Sequence, residues 1–310
     1  MCVAFWSLEH PQYALILCSN RDEYLSRPTA KAHWHSFGGV RDDAAGDGSI
    51  LSGRDLRAGG TWAGVNRSGR VSLLTNITEP AGKYDSSRGN LTSSFLLPRT
   101  PSTFRDEVDS IRAQNVKYAG FNLLLLSPRT RHGASLAYNA SFVTNSGGGG
   151  TITTRDLSDE ERCCGGMSNG IDRQGANDWP KVKHGIQALQ EVLDSVTENS
   201  NESELLEQLF GLLTWRSKGP IDRSTLRNTI QVEPIALPNP NGSNHTVHEY
   251  YGTRLSTVIL VRRDGQVLFA ERDVWKLSPE GDVAEAKSED DCMFRFQIDL
   301  GDIDKSVDSL

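Results

Sequence analysis

The chain has 310 residues, with 33 Lys and Arg against 40 Asp and Glu and a formal net charge of −7. Its length suits one large domain or about two smaller ones, and its 37% of apolar residues is enough for a packed core. The acidic balance argues against nucleic acid as a partner, and no apolar run reaches the roughly 18 residues that a membrane span needs.

The first half of the chain is rich in predicted strands, most of which come as hairpins. Residues 2–8 and 12–19 are predicted strands joined by a turn at His10–Gln12, and Asn20–Glu23 is predicted to follow the second strand. The stretch 38–60, rich in Gly, Asp and Ser, is predicted as a loop. The other predicted elements of this half are a hairpin at 61–66 and 70–76, a short helix at 88–97, and paired strands at 120–127 and 135–143.

The second half contains the clearest predicted helix, which starts near Asp178 and has Pro180 in its first turn. Its apolar face recurs at steps of three and four residues: Val182, Ile186, Leu189, Leu193 and Val196. The later predictions are a helix at about 202–215, a long surface loop at 217–249, strands at 257–262 and 266–272, a polar acidic stretch at 278–291 and an edge strand at 292–298. Since strands come in hairpins at both ends with helices grouped between them, the pattern predicts an α+β fold with largely antiparallel sheets.

The N-terminus and the cysteines predict a cytoplasmic protein. The apolar start of the chain is interrupted by Glu9 and His10 and has no basic segment before it, unlike a secretory signal peptide. The five cysteines are an odd set with no C-x-x-C spacing, which predicts no metal site and no disulfide framework. They are Cys2, Cys18, Cys163, Cys164 and Cys292.

Cys2 directly follows the initiator methionine, and its small side chain is one that methionine aminopeptidases accept. Removal of Met1 would leave a thiol and a free α-amine on one residue. Such an amine has a pKa of about 7.7–8.0, so it can take the proton of the thiol at neutral pH without help from a histidine. The alternative is that Cys2 is only a small apolar strand residue.

Seven short sequence motifs are spaced along the chain, and the first of them is Ser19–Glu23. The others are Gly59–Val65, Leu74–Asn76, Ser87–Gly89, Gly120–Leu123, Gly166–Asn169 and Tyr251–Arg254. Together they resemble the NRDE family, also called the transport and Golgi organisation family, which is named after the Asn-Arg-Asp-Glu motif at 20–23. The resemblance spans residues 1 to about 275. It implies a single domain over 1–310, with a loop insertion at 217–249 and a less typical acidic segment at 278–310.

The resemblance also implies a fold and a set of site residues. The family is similar to N-terminal nucleophile hydrolases, which have four αββα layers with two stacked, mainly antiparallel sheets. It is most similar to the branch that cleaves bile-salt and penicillin-type amides with an N-terminal cysteine. Matched by position, the catalytic residues here are Cys2, Arg21, Asp22, Asn76, Asn169 and Arg254.

The implied roles are consistent with elementary chemistry. Arg21 would favour the Cys2 thiolate, and Asp22 would accept from the protonated α-amine. Asn76 and Asn169 would donate to a developing oxyanion, and the late arginine would contact the substrate. Arg21 and Asp22 are adjacent here, whereas the hydrolase branch usually separates them by a few residues. Each residue also has a purely structural alternative, as an ion pair, a turn cap or a structural charge.

Three functions remain open at this stage. The first is a hydrolase of amide or thioester bonds that uses Cys2 and needs no cofactor. The second is a carrier of haem or an acyl chain, since the family is implicated in haem mobilisation and lipid homeostasis. A haem ligand could come from His33 and His35, which share one face of an extended segment, although an exposed loop pair is the alternative; His245 and His248 lie in a polar loop. The third is an adaptor in Golgi organisation and secretion, with peripheral contact to mitochondrial or Golgi membranes.

Overall fold

The computed structural model describes residues 2–38, 48–80, 82–97, 103–131, 135–197, 200–219, 222–237, 249–287, 291–301 and 303. Within these ranges the chain forms two large antiparallel sheets and five α-helices. The strands are β1 (Val3–Ser7), β2 (Tyr13–Tyr24), β3 (Thr29–His35), β4 (Ile50–Asp55), β5 (Ala63–Asn66), β6 (Val71–Asn76), β7 (Phe121–Arg131), β8 (Ser135–Thr144), β9 (Thr153–Asp156), β10 (Gly165–Met167), β11 (Ile235–Leu237), β12 (Glu249–Arg262), β13 (Gln266–Asp273), β14 (Trp275–Leu277), β15 (Val283–Glu285) and β16 (Cys292–Gln297). The α-helices are α1 (Gly89–Leu96), α2 (Phe104–Arg112), α3 (Asp159–Cys163), α4 (Pro180–Ser195) and α5 (Glu202–Leu213), and short 3₁₀ turns lie at Ala176–Asp178 and Leu226–Asn228.

Each large sheet has seven strands within the described ranges. The first has the order β10-β1-β2-β12-β13-β16, and β11 pairs with β12 beside this path. The second follows chain order from β3 to β9, which is a simple meander. β14 and β15 form a separate two-stranded ribbon. In the first sheet the N-terminal hairpin is thus paired with a strand from near the other end of the chain.

The layer order follows from the alternation of side chains along the strands. On β1, Ala4 and Trp6 belong to the core between the two sheets, whereas Val3 and Phe5 pack against α4 and α5. β7 behaves in the same way, with alternate leucines facing the other sheet or the helices α1 and α2. Strands that are covered on both faces carry apolar residues at almost every position. The result is four layers in the order αββα, as the family resemblance implied.

Most of the predicted elements are confirmed within a few residues. The hairpins β1–β2, β5–β6 and β12–β13 pair as expected, and β7 pairs with β8 along its whole length. Gly69 and Gly265 have the positive φ angles that their tight turns require. The predicted edge strand is β16, which pairs with β13 and completes the first sheet.

Three predictions were wrong in part. The motif at 20–23 does not follow β2 but forms its end, because β12 is longer than predicted and pairs with β2 as far as Tyr24. The supposed loop 38–60 contains β4, whose strand pairing on both sides outweighs its polar composition. The supposed loop 217–249 contains β11 and the fully buried Ile230 and Val232, although residues 220–221 and 238–248 lie outside the described ranges.

No α-helix in the described part of the chain is both long and apolar enough to cross a membrane.

Candidate active site

Cys2 and Arg21 lie on the same side of the first sheet. The register pairs Val3 with Asn20, so Cys2 precedes β1 at the level of Arg21. Val3 faces the helices, and strand alternation therefore turns Cys2 toward the second sheet. The half-buried Cys2 and the buried Arg21 both line a cavity at this end of the sheets.

The cavity has a volume of about 120 Å³. It is lined by Cys2, Arg21, Asp22, Glu23, Arg27, Asp55, Gly60, Thr61, Trp62, Leu74, Asn76, Ser87, Arg88 and Gly89. For comparison, an engineered cavity of about 150 Å³ holds one benzene molecule. The space therefore accommodates a fragment of about six non-hydrogen atoms, and three arginines with the acidic residues Glu23 and Asp55 make its wall strongly polar.

Arg21 is held by contacts on several sides. One guanidinium nitrogen donates to Thr29 Oγ1 at 3.0 Å, and another lies 3.9 Å from Glu23 Oε2. The guanidinium carbon lies 3.9 Å from the centre of the Trp62 ring, which is a cation–π contact. These contacts fix a positive charge beside the Cys2 thiol.

Asp22 lies on the opposite face of β2 from Arg21. It shares that face with Asn20, whose amide donates to the Leu213 carbonyl at the end of α5. Asp22 Oδ1 accepts from Thr253 Oγ1 at 2.6 Å, and Cys2 Sγ is 3.9 Å from the Asp22 carbonyl oxygen. Adjacent residues on a strand point to opposite faces, so the adjacent Arg21 and Asp22 approach Cys2 from two sides of the sheet.

Lys181 is a site residue that the sequence analysis missed. It lies in the first turn of α4, its exposed fraction is 0%, and its ammonium interacts electrostatically with Asp22 and with Cys2. Burial lowers the pKa of Lys181, and the Asp22 carboxylate opposes that shift. Gly185, one turn later, packs so closely on Phe5 that an added Cβ would lie 1.9 Å from the ring. The sequence offered one indication of this site residue. Lys181 lies four residues before Gly185 and eight before Leu189, which places all three on one stripe of the helix.

Asn76 and Asn169 are in contact, but only Asn76 lines the cavity. Asn76 ends β6, and its backbone carbonyl accepts from Asn169 Nδ2 at 2.5 Å. The neighbouring Ser168 donates to the Cys2 carbonyl at 2.8 Å, which ties β10 to the N-terminus. Asn169 thus lies behind Asn76 and fixes the wall that carries it.

Arg254 does not line the cavity. The register between β12 and β2 shifts between Thr253 and Leu255, so Arg254 lies at a β-bulge. Its guanidinium donates to the Leu25 carbonyl at 3.1 Å and to the Arg27 carbonyl. Arg254 therefore stabilises the turn after β2, which carries the cavity residue Arg27.

Of the histidines considered as haem ligands, the structure describes the pair His33 and His35. His33 and His35 lie on β3 with ring centres 4.9 Å apart, but His35 is fully buried, so the alternative of an exposed loop pair is wrong. His35 Nε2 is 2.8 Å from Ser52 Oγ, and Nδ1 accepts from the Phe37 amide at 3.4 Å, so both ring nitrogens are engaged. His132, His245 and His248 lie outside the described residues.

The cavity also does not fit haem, because its volume is well below the roughly 300–1,000 Å³ of sites for drug-sized ligands. Among the residues that the structure describes, no three His, Cys, Asp or Glu side chains are arranged to hold a metal ion.

The balance of charges at Cys2 differs from the expectation. Burial raises the pKa of the thiol above its ordinary value of 9.0, and the Asp22 carboxylate raises it further, whereas Arg21 lowers it. Arg21 acts in the predicted direction, but burial, which the sequence does not reveal, outweighs it. A protonated thiol of this kind needs a nearby base before it can act as a nucleophile.

The rate of Cys2 alkylation by iodoacetamide is expected to keep rising with pH above pH 9. Only the thiolate reacts, and the raised pKa of Cys2 shifts thiolate formation to higher pH. At pH 8 an Arg21→Gln variant should react about two- to threefold more slowly, since a cation that weakly favours the thiolate is lost. The rates are measured by mass spectrometry of the Cys2 peptide. Arg112→Gln, which removes an exposed arginine of α2, is the matched control. A rate that reaches its plateau below pH 9 contradicts this expectation.

The chain is similar in sequence to one protein family and to members of that family from several organisms. The family model for Transport and Golgi organisation 2 matches residues 1–276. The Transport and Golgi organization 2 homolog of Mus musculus is 28% identical over 285 residues, which cover 88% of this chain and 93% of the mouse protein. Transport and Golgi organization protein 2 of Drosophila melanogaster is 29% identical over 303 residues, with coverages of 91% and 95%.

Two solved structures are similar over most of their lengths. An orthologue of N-acylethanolamine-hydrolyzing acid amidase from Caenorhabditis elegans has 12% sequence identity and a TM-score of 0.45, with 84% of this chain and 92% of that chain covered. A mutant conjugated bile acid hydrolase from Clostridium perfringens has 8% identity and a TM-score of 0.45, with coverages of 96% and 98%.

Proposed function

The chain belongs to the Transport and Golgi organisation 2 family, and on that premise we propose that it hydrolyses amide or thioester bonds with Cys2 as the nucleophile. The observation that carries this proposal is the position of the Cys2 thiol in a small polar cavity, with Arg21 beside it and the Asn76 strand end opposite. A nucleophile, a nearby cation and an amide donor around one small cavity are groups that acyl transfer uses.

The proposed reaction begins after Met1 has been removed. The Cys2 α-amine takes the proton of the thiol, and Sγ attacks the substrate carbonyl carbon. The oxyanion that forms accepts a hydrogen bond from the Asn76 side chain. The carbonyl re-forms, the bond to the leaving amine or thiol breaks, and the α-ammonium returns the proton to that leaving group. Cys2 is now acylated as a thioester.

The second half of the reaction uses water as the nucleophile. The α-amine takes a proton from a water molecule, whose oxygen attacks the thioester carbonyl. Collapse of the second oxyanion releases the carboxylic acid and returns the proton to Cys2 Sγ. Asp22, held by Thr253 at 2.6 Å, offsets the positive charge that the α-amine carries between the steps.

The other two functions receive less support from the site. A carrier for haem or for a whole acyl chain needs a larger and more apolar cavity than this one of about 120 Å³. The adaptor role, residence in the cytoplasm and contact with mitochondrial or Golgi membranes stay predictions from the sequence.

The test is to trap an acyl group on Cys2. Protein whose N-terminus at Cys2 has been verified by intact mass is incubated with short N-acyl amino acids and short acyl thioesters, quenched with acid and digested. We expect a mass increase on the Cys2 peptide and release of the free acid. In a Cys2→Ala variant the release should fall by about 10⁴-fold or more.

Cys163→Ala is the matched control, because Cys163 is exposed and does not line the cavity. Undiminished turnover in Cys2→Ala contradicts the proposal. An N-terminus that retains Met1 in all of the active protein contradicts the role of the α-amine as the base.

A further inference from the structure

Among the three cavity arginines, Arg88 is the one without a close ion pair to a described carboxylate. Arg27 donates to Asp55 Oδ2 from two nitrogens at 3.0 and 2.7 Å, and Arg21 lies 3.9 Å from Glu23. Arg88 donates to the Gly120 carbonyl at 2.9 Å, and within the described ranges no carboxylate lies within 4.0 Å of it. A guanidinium has five N–H donors, so most of the donors of Arg88 remain for another partner.

The wall that carries Arg88 is fixed by the backbone. Arg88 directly precedes α1, and its neighbour Gly89 lies against Gly60 from the opposite wall. A Cβ added to Gly60 would be 2.6 Å from the Gly89 carbonyl carbon. The close contact of the two glycines fixes the backbone beside Arg88, and the bond to the Gly120 carbonyl holds the guanidinium.

Arg88 is also electrostatically close to the nucleophile. Burial lowers the pKa of Arg88, and the groups that favour its charged form are Glu79 first, then Cys2 and Glu23. An anion that enters the cavity would therefore meet a partly dehydrated guanidinium in the same space as the reacting thiol.

The charge of the cavity limits the kind of anion. The three arginines share the cavity wall with the carboxylates of Glu23 and Asp55, and the Glu79 carboxylate also acts on Arg88. A phosphate ester with two negative charges would be repelled by these carboxylates, and the space of about 120 Å³ is small. A carboxylate has one charge and matches the planar fork of an arginine.

We propose that Arg88 anchors a carboxylate of the substrate, so that the substrate is a small amide or thioester that carries a carboxylate near the scissile bond, such as an N-acyl amino acid. This inference rests on the proposed function, but it can be tested without turnover.

The test compares two alkylating reagents of the same shape. Iodoacetate carries a carboxylate and iodoacetamide does not. The ratio of their rates at Cys2 is divided by the same ratio at Cys163, an exposed thiol in the same molecule. In the Arg88→Gln variant we expect this normalised ratio to fall about tenfold, because a hydrogen-bonded charge pair with the reagent is lost.

Arg112→Gln, which removes the same unit of charge from an exposed site, should leave the ratio unchanged. Arg88→Lys keeps the charge without the fork and should lie between wild type and Arg88→Gln. An unchanged ratio in Arg88→Gln overturns the inference.

A measurement on the wild-type protein does not depend on whether a variant folds. Propionate should protect Cys2 against iodoacetamide in a saturable way, and propionamide should not. Equal protection by both compounds, or by neither, overturns the inference. If protection and rate ratio behave as expected while no amide or thioester is turned over, the proposed hydrolysis is wrong and the carboxylate site stands.

Discussion

Replacing Asp22 with alanine is expected to lower the free energy of unfolding by about 3–5 kcal/mol and to abolish turnover. The Asp22 carboxylate contacts two other elements: it accepts from Thr253 of β12 at 2.6 Å and interacts with the fully buried ammonium of Lys181 in α4. Without Asp22, a buried cation loses an anion that offsets its charge, and the energy required to keep it dehydrated is no longer compensated. Urea denaturation of both proteins measures the difference.

A double-mutant cycle identifies the source of this loss. Lys181→Met removes the buried cation and keeps most of the side-chain volume, so adding it to Asp22→Ala should restore part of the stability. The control is Asp109→Ala, which breaks an exposed pair with Arg112 and should cost at most about 1 kcal/mol. Strictly additive effects of the Asp22 and Lys181 substitutions would show that the two charges do not interact.

The second large effect concerns the pH dependence of stability and arises from Glu271. This residue of β13 is buried, and burial raises the pKa of its carboxyl from 4.5 to about 7. Asp273 raises it further, while the Ala32 amide, which donates to Glu271 Oε1 at 3.0 Å, and the charges of Arg21 and Lys31 lower it. The folded protein therefore holds this proton in a pH range where the unfolded chain has released it.

The direction of the effect follows from this difference. The contribution of Glu271 to stability is fully present below pH 4.5 and is lost as the pH rises to about 7. The loss corresponds to about 3 kcal/mol at pH 8. Glu271→Gln keeps an oxygen for the Ala32 amide and removes the ionisation, so it should stabilise the protein at pH 8 by up to about that amount and leave it unchanged at pH 4.

Thermal or urea unfolding of Glu271→Gln at a series of pH values tests this expectation. Glu280→Gln, at an exposed position in the described C-terminal part, is the control and should change stability little at any pH. A Glu271→Gln variant that is less stable than wild type at pH 8 would show that the carboxylate is compensated in the folded protein.

Much of the fold could be predicted from local patterns. The hairpins around Gly69 and Gly265 have glycines where the turns need positive φ angles, and α4 has both its proline start and its apolar stripe. β4 could not be found in this way, because Ser52, Gly53 and Arg54 are atypical of a central strand. Gly53 is explained only by its partner: a Cβ there would lie 2.6 Å from the ring of Trp62.

The residues of the candidate site, like the elements of the fold, differ in whether local sequence patterns reveal them. Cys2 was found through its position after the initiator methionine and Arg21 and Asn76 through short motifs, and the structure brings all three to one cavity. Lys181 shares a helical stripe with Gly185 and Leu189, and Arg88 lies in one of the short motifs, but neither pattern reveals a role. Their importance depends on a helix near Asp22 and on a segment that lines the same cavity as Cys2. Charges that act across distant segments become visible only when the tertiary structure is known.

The pairing of β2 with β12 sets the time at which the site is completed during synthesis. Asp22 and its partner Thr253 are 231 residues apart in the chain. A ribosome that adds about 5–20 residues per second makes Thr253 roughly 10–50 s after Asp22. Throughout this interval the N-terminal hairpin has no neighbour on that side, and Cys2 lies outside any cavity. Exposure of the N-terminus to aminopeptidases and of its thiol to oxidants is therefore greatest on the ribosome, before the protein has folded.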